Sequence, residues 1–332
     1  MASERLMRYS DAERPNALSH FRTDTRFGRE LWGYIDARGT VVIPPSYLAY
    51  AHFSEGKSAV MDETEKVGFI DAKGRLVIPH QFEAVGRFHN GLCAIDAGYI
   101  DHAGHWVIQP KFLKSSPFSE GLALASTDGE NIGYIDLTGE FAIPPRFIGC
   151  SRFSEGLAAV CIDDRWGYID RDGNLEIPTV FETPSPRNFR DGIAGARIDG
   201  CWGFIDRSGS FVIMPVYEQA QSFFEGRARV KRNAKWGMID TDGRLVVECQ
   251  FEKLGELNAG MAAAKLDGKA GFVSAAGKWL IEPKFDRTLS FVHELAAVEL
   301  GETYCYIQRD GEIVWTSRPL ASLQYPPSPL FV

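Results

Sequence analysis

The sequence predicts an all-β chain built as a repeat array, and two observations carry that prediction. The first is a motif, Trp-Gly-Tyr-Ile-Asp, complete at Trp32 to Asp36 and at Trp166 to Asp170. Its glycines recur at Gly33, Gly68, Gly98, Gly133, Gly167, Gly203, Gly237 and Gly271, with spacings of 35, 30, 35, 34, 36, 34 and 34 residues. A fixed period of this length is the mark of one supersecondary unit stacked on copies of itself. The second is turn density: 33 glycines and 17 prolines punctuate a chain that is 45% apolar. Eight to nine three-stranded antiparallel units are expected, stacked as an open, superhelical, solenoid-like domain. A closed β-propeller is the alternative, disfavoured because a partial copy near Cys305 would make a ninth blade, beyond the usual range of about four to eight.

Each copy reads the same way in order. Trp166 to Asp170 is a short aromatic and β-branched strand, and Asp170-Arg171-Asp172-Gly173 is a turn signature. The same Asp-x-x-Gly spacing occurs at Asp36, Asp71, Asp101, Asp136, Asp206 and Asp240, where a carboxylate can accept backbone N–H groups and glycine tolerates positive φ. A second strand follows, such as Glu140 to Ile143. Prolines (Pro44, Pro79, Pro110, Pro144, Pro178, Pro215 and Pro283) are expected to stop it, because proline has no ladder donor. Next comes an aromatic pair six residues apart, as in Phe147/Phe153 and Tyr217/Phe223, read as core anchors. A Glu-Gly break, such as Glu155-Gly156, leads into a small-residue third strand, Leu157 to Val160, and a polar turn reaches the next Trp-Gly pair.

The ends are incomplete copies. Residues 20 to 28 resemble an isolated third strand, and Tyr306 to Trp315 supply only a first and a second; in a ring, these pieces could complete one blade together. The resulting division is an N-terminal segment at 1–17, the array at 18–315 and a proline-containing tail at 316–332, with Tyr325 to Pro329 extended.

Composition narrows the function classes. No segment reaches the roughly 18 apolar residues of a membrane span, and residues 1 to 16 lack the apolar stretch of a secretory signal, so a cytoplasmic protein without membrane contact is expected. Six cysteines never fall in a C-x-x-C spacing, which suits packed, reduced thiols. The net charge of −8 argues against nucleic acid as a partner.

Taken together, Trp-Gly-Tyr-Ile-Asp, the Asp-x-x-Gly turn, Ile43-Pro44-Pro45, the spaced phenylalanines and Ser154-Glu155-Gly156-Leu157-Ala158-Ala159-Val160 resemble the bacterial WG repeat family, also called KWG repeats. The resemblance covers nearly all of residues 18 to 315. It implies an interaction module and supplies no catalytic residues to carry over.

The seven tryptophans occupy framework slots, which counts against a glycan-stacking platform. Asp-x-Asp-Gly at Asp170 and Asp240 superficially resembles a calcium loop but lacks the bidentate glutamate. His102 and His105 flank Gly104 with Asp101 nearby, yet alternating turn and strand residues rarely converge on a metal. No phosphate loop or nucleophile motif is present, so no catalytic residue, cofactor or metal is assigned.

Partner-binding candidates are instead the places where one copy breaks the shared pattern. In the stretch Glu225 to Lys235, Arg227, Arg229 and Lys231 alternate and should share a strand face, with Arg232 and Lys235 beyond them. Arg229 stands where siblings have Ala94, Leu124, Ala159 or Ala263. The insertion Thr183-Pro184-Ser185-Pro186 makes Pro184 and Pro186 a stiff protrusion. The acidic turn containing Asp62, Glu63 and Glu65 could face a basic surface. The expected function is a non-enzymatic scaffold binding another protein, in the manner of an immunity or antitoxin-like protein. A carbohydrate or cell-wall module is the alternative, and a nucleotide binder or enzyme at the basic stripe comes last. Open sheet edges also suggest end-to-end dimers.

Overall fold

The computed structural model describes residues 19–26, 29–182, 186–292, 294–301 and 303–316. They form nine small antiparallel sheets, spanning 19–47, 49–82, 85–108, 114–147, 149–181, 194–217, 219–251, 253–285 and 287–316, here numbered first to ninth. Every sheet is a meander with its strands in chain order.

Sheet and repeat are out of phase. In the fifth sheet the strand Arg165–Ile169 pairs on one side with Ala158–Ile162, which precedes it, and on the other with Leu175–Phe181, which follows. The preceding hairpin turns through Asp163 and Asp164 at φ 50° and 58°, the geometry whose twist matches two flanking strands. The three strands of one copy are therefore divided between two sheets. Most sheets also gain a two-residue opening strand, such as Gly149–Cys150, which the three-strand expectation lacked.

The expected treatment of the ends is corrected by the same phase. Ser19–Arg26 pairs with Arg29–Ile35 in its own sheet, with Phe21 opposite Gly33, while Ala296–Leu300, Thr303–Ile307 and Ile313–Thr316 lie together in the ninth. No blade is shared between the termini. A local hairpin closes with far less loop entropy than a pairing across the whole chain.

The ring nevertheless closes. From the second sheet to the ninth the turn glycine packs on an isoleucine, or in the eighth on Val247, of the sheet before it: a Cβ placed on Gly173 would lie 3.0 Å from the Ile143 side chain, and one on Gly243 3.0 Å from Ile213. The same slot in the first sheet meets the ninth, where a Cβ on Gly39 would lie 2.5 Å from the Val314 carbonyl oxygen. Gln308 Nε2 donates to the Ala37 carbonyl at 2.9 Å, and Ile35 is buried with Leu295, Ala297 and Tyr306. The expected open superhelical array is thus overturned: the chain is a closed β-propeller. The blade-number argument failed because the usual range describes frequency and sets no limit on closure. The terminal faces that end-to-end pairing would use cover each other.

The prolines also act differently from expectation. Val41–Tyr47 runs through Pro44 and Pro45, but its register jumps from Trp32 opposite Tyr47 to Tyr34 opposite Ile43, so extra residues bulge out of the ladder. The bulge presses backbone against the motif glycine. A Cβ on Gly133 would lie 2.5 Å from the Ile143 carbonyl oxygen and 2.6 Å from the Pro145 nitrogen, and all eight motif glycines meet the equivalent carbonyl oxygen within 3.0 Å. In the ninth sheet Cys305 occupies this slot, and there the ladder runs through it, with Cys305 opposite Thr316 and Tyr306 opposite Trp315, before a register shift between Tyr306 and Ile307.

The core lies between successive sheets. The motif aromatic of one sheet packs on the second ring of the aromatic pair entering the next: Tyr134 on Phe153 at 4.8 Å, Tyr168 on Phe189 at 4.9 Å and Phe204 on Phe223 at 4.9 Å between centroids. Buried phenols donate to carbonyls of the following sheet, Tyr134 to Ser151 at 2.8 Å and Tyr168 to Arg187 at 2.7 Å. No helix in the described residues is long and apolar enough to cross a membrane.

Candidate axial binding cleft

Most of the recurrent polar residues are consumed by the frame. Asp170 Oδ1 accepts from the backbone N–H of Asp172 at 3.0 Å and of Asn174 at 2.8 Å, and Asp206 serves Ser208 and Ser210 likewise. These bonds favour the ionised form. The Asn174 amide beside Asp170 and the Ser208 hydroxyl beside Asp206 hold both carboxyls below the usual range, with backbone N–H groups adding to the effect. His102 and His105 diverge: His102 Nε2 lies 3.1 Å from Glu55 of the second sheet and stacks on Phe88 at 4.4 Å, while His105 stays with Asp101 at 3.7 Å. Among the described residues no three His, Cys, Asp or Glu side chains gather as metal ligands.

The Glu-Gly break, read from sequence only as a turn, clamps adjacent sheets together. Glu120 accepts from the N–H groups of Glu155 at 2.6 Å and Gly156 at 2.9 Å in the next copy, and Glu225 accepts from Ala259 and Gly260 at 3.0 and 3.1 Å. Ser119 and Ser154 donate across the same boundaries, to Phe153 and Phe189 carbonyls. The glutamates take φ near 50°, a conformation uncommon for a residue with a Cβ, which the carboxylate contacts help to hold.

The basic stripe alternates as expected, with Ala228 and Val230 buried and Arg229 and Lys231 half-buried between them. Its members then part. Lys231 lies over Trp236 at 5.9 Å and Arg232 over Tyr217 at 5.3 Å; Lys235 faces Arg232 at the end of the hairpin. Arg227 and Arg229 turn instead toward Met238 and Glu256.

Arg229 has a structural reason that sequence reading missed. It is paired with Met238, which replaces the motif tyrosine or phenylalanine. Where Tyr134 sends a hydroxyl to the next sheet, Met238 cannot, and Arg229 Nη1 instead donates to the Leu254 carbonyl at 2.9 Å. In the preceding pair of sheets Phe204 also lacks a hydroxyl, and Arg187 Nε donates to Ala220 at 3.1 Å. Ala220 and Leu254 hold equivalent places in successive opening strands.

These two arginines meet in a cleft of about 330 Å³ lined by Ser151, Pro186, Arg187, Asn188, Arg190, Gln221, Ser222, Arg229 and Glu256. The residues come from the fifth to the eighth sheets or the segments entering them. Four successive sheets of a ring converge only toward its axis, so the cleft is axial and the proline-bearing strands are peripheral. Two of the sequence's exceptions, Pro186 of the insertion and Arg229 of the stripe, are therefore brought together. Pro184 lies outside the described residues. The acidic turn stays in the second sheet: Asp62 accepts from Thr64 and Lys66 N–H groups, Glu63 is exposed and Glu65 takes φ 62°. Arg187, Arg190 and Glu256 were not singled out from sequence. The signal was present in Arg187, whose counterparts are Ala51, Gly86, Ser116 and Ser151, but the insertion obscured its alignment.

The WG containing repeat model matches residues 32–63, 68–95, 98–130, 132–166, 166–200, 202–236, 236–269 and 271–304. The chain belongs to the WG repeat family. Its eight WG repeats, displaced from the sheet boundaries by two strands in the four-stranded sheets and one in the three-stranded, account for the full ring once the terminal strands are added. A comparison with curated proteins gives no match. Among solved structures, the WG propeller is similar to that of a eukaryotic initiation factor at 12% identity and TM-score 0.59, covering 90% of this chain and 95% of that one. It also matches BamB from Moraxella catarrhalis at 13% identity and TM-score 0.45, covering 70% and 86%, too loose a likeness to carry weight. The first likeness bears on fold alone and agrees with a closed propeller rather than an open array.

Proposed function

We propose that this WG repeat propeller is a non-enzymatic scaffold that binds one specific protein. The observation that supports the reading is convergence: residues by which the sixth and seventh sheets depart from their siblings meet in one axial cleft. The concrete form is an immunity or antitoxin-like protein of the cytoplasm that holds its partner stoichiometrically. No described tryptophan is exposed, and Arg187 lies over Trp202 at 4.7 Å, so the glycan-stacking alternative lacks an open platform.

Affinity capture from native lysate, comparing the wild-type chain with Arg190→Glu, tests this. One stoichiometric protein retained by the wild type is expected. Empty captures from both, accompanied by a nucleotide-induced rise in melting temperature, would replace the scaffold with a small-molecule site.

A further inference from the structure

The chain as a whole carries a formal charge of −8, yet its axial cleft is basic. Arg187, Arg190 and Arg229 line it against a single carboxylate, Glu256. Elsewhere, the imidazole of His89 is held below its usual range first by burial and then by the charge of Arg152, with Glu55 opposing and Arg87 adding to it. The inversion is local and therefore demands a local cause.

We infer that the cleft is a carboxylate-binding site that grips an acidic segment of a partner protein, with Arg187, Arg190 and Arg229 supplying the donors. The inference rests on the scaffold reading and names the chemistry of its contact. Its support is the shared cleft, which Arg187 and Arg229 line together. Burial disfavours the charged form of both guanidinium groups, and at Arg187 the charge of Arg229 adds to that effect. Glu256 acts on Arg229 in the opposite sense but stands exposed at the edge. A carboxylate between the two guanidinium groups would relieve the repulsion, which a solvated surface arginine would never experience.

The donors are also preorganised. Arg187 is fixed by its bond to the Ala220 carbonyl and by stacking over Trp202, and Arg229 by its bond to Leu254. Each guanidinium uses part of its five-donor fork on the frame and keeps the remainder, so little side-chain entropy is left to lose on binding. Arg190 is exposed, over Phe224 at 5.6 Å, and Asn188, Gln221 and Ser222 add neutral donors to the wall.

A peptide suits the site better than a nucleic acid. Base recognition needs open aromatic faces, and here Trp202 and Phe224 are covered by Arg187 and Arg190. A cleft of about 330 Å³ takes a few side chains, not a run of nucleotides.

The test is fluorescence anisotropy of a fluorescein-labelled decapeptide of alternating Asp and Glu, titrated with the full chain. Wild type should bind, with affinity falling as salt rises. Arg190→Gln, exposed and so expected to keep the wild-type melting temperature, should weaken binding by about tenfold. Arg187→Gln should do so at least as strongly, and Arg232→Gln, outside the cleft, should leave it unchanged. Absence of binding at millimolar protein would overturn the inference, as would equal weakening by Arg232→Gln. Tighter binding of an oligothymidylate, or displacement by equimolar inorganic phosphate, would overturn it in favour of a phosphate ligand. If a partner is captured from lysate but Arg190→Gln retains it fully, the scaffold stands and the carboxylate site falls. If the peptide binds and no protein is captured, the site stands and the scaffold falls.

Discussion

A single methyl group tests why the motif contains glycine. The bulged backbone at Ile177 and Pro178 lies well within 3.0 Å of a Cβ built on Gly167, so Gly167→Ala must displace main chain and should cost about 2 to 3 kcal/mol in urea unfolding. Cys305→Ala, at the slot where the ladder pairs Cys305 with Thr316, should cost less than about 1.5 kcal/mol; equal losses at both sites would refute the bulge as the cause. Arg229 offers a second test. Arg229→Ala strands the Leu254 carbonyl and should cost about 1 to 3 kcal/mol in urea unfolding; an unchanged unfolding midpoint would refute the bond's structural role. The turn aspartates set an acid limit. Asp101, Asp136, Asp170 and Asp206 have folded pKa values below those of the unfolded chain, so their stabilisation is complete above the unfolded value of about 3.9 and is lost as pH falls through the lower folded values. Melting temperature followed by circular dichroism should hold on this account from neutrality to about pH 5 and drop below about pH 4; a profile level down to pH 2 would contradict it. The turn role of these aspartates was legible because Asp-x-x-Gly is local chemistry. Arg229 was legible as an exception but not as a repair, since its partner carbonyl lies 25 residues away in the next sheet.

At the scale of elements, the strands and turns were readable and their grouping was not. Trp166 to Asp170, the turn at Gly173 and the small-residue strand all lie where the pattern put them, but a repeat can be cut at any phase without changing its period. Only pairing registers decide that the Trp-Gly strand joins the third strand before it. Proline was misread for a related reason: on a peripheral strand it need not end pairing, because its missing donor can sit in a bulge. The Ser-Glu-Gly turn is the element with the most to lose. Glu120 spans two sheets through two N–H acceptances, so Glu120→Ala should lower stability by about 1 kcal/mol and speed hydrogen exchange at Glu155 and Gly156, while exchange in the second sheet stays unchanged. Uniform exchange in both places would argue against the clamp.

For the whole molecule, sequence supplied period and copy number but not closure, because Gly39 and Val314 lie at opposite ends of the chain and no local signal joins them. Closure predicts shared fate. A chain ending at Asp286 lacks the ninth sheet, which exposes a face on the first and another on the eighth, and its thermal transition should broaden and fall far beyond a one-ninth share. An open array would lose only the contribution of its last unit. The junction itself has a mechanical consequence. Because, among the described residues, no strand of one terminus is laced into the sheet of the other, the circle is fastened there by side-chain packing and a glutamine, without a β-ladder. Pulled apart by its two ends, the protein would part first at this clasp, and each sheet would then peel away singly while those behind it remained folded.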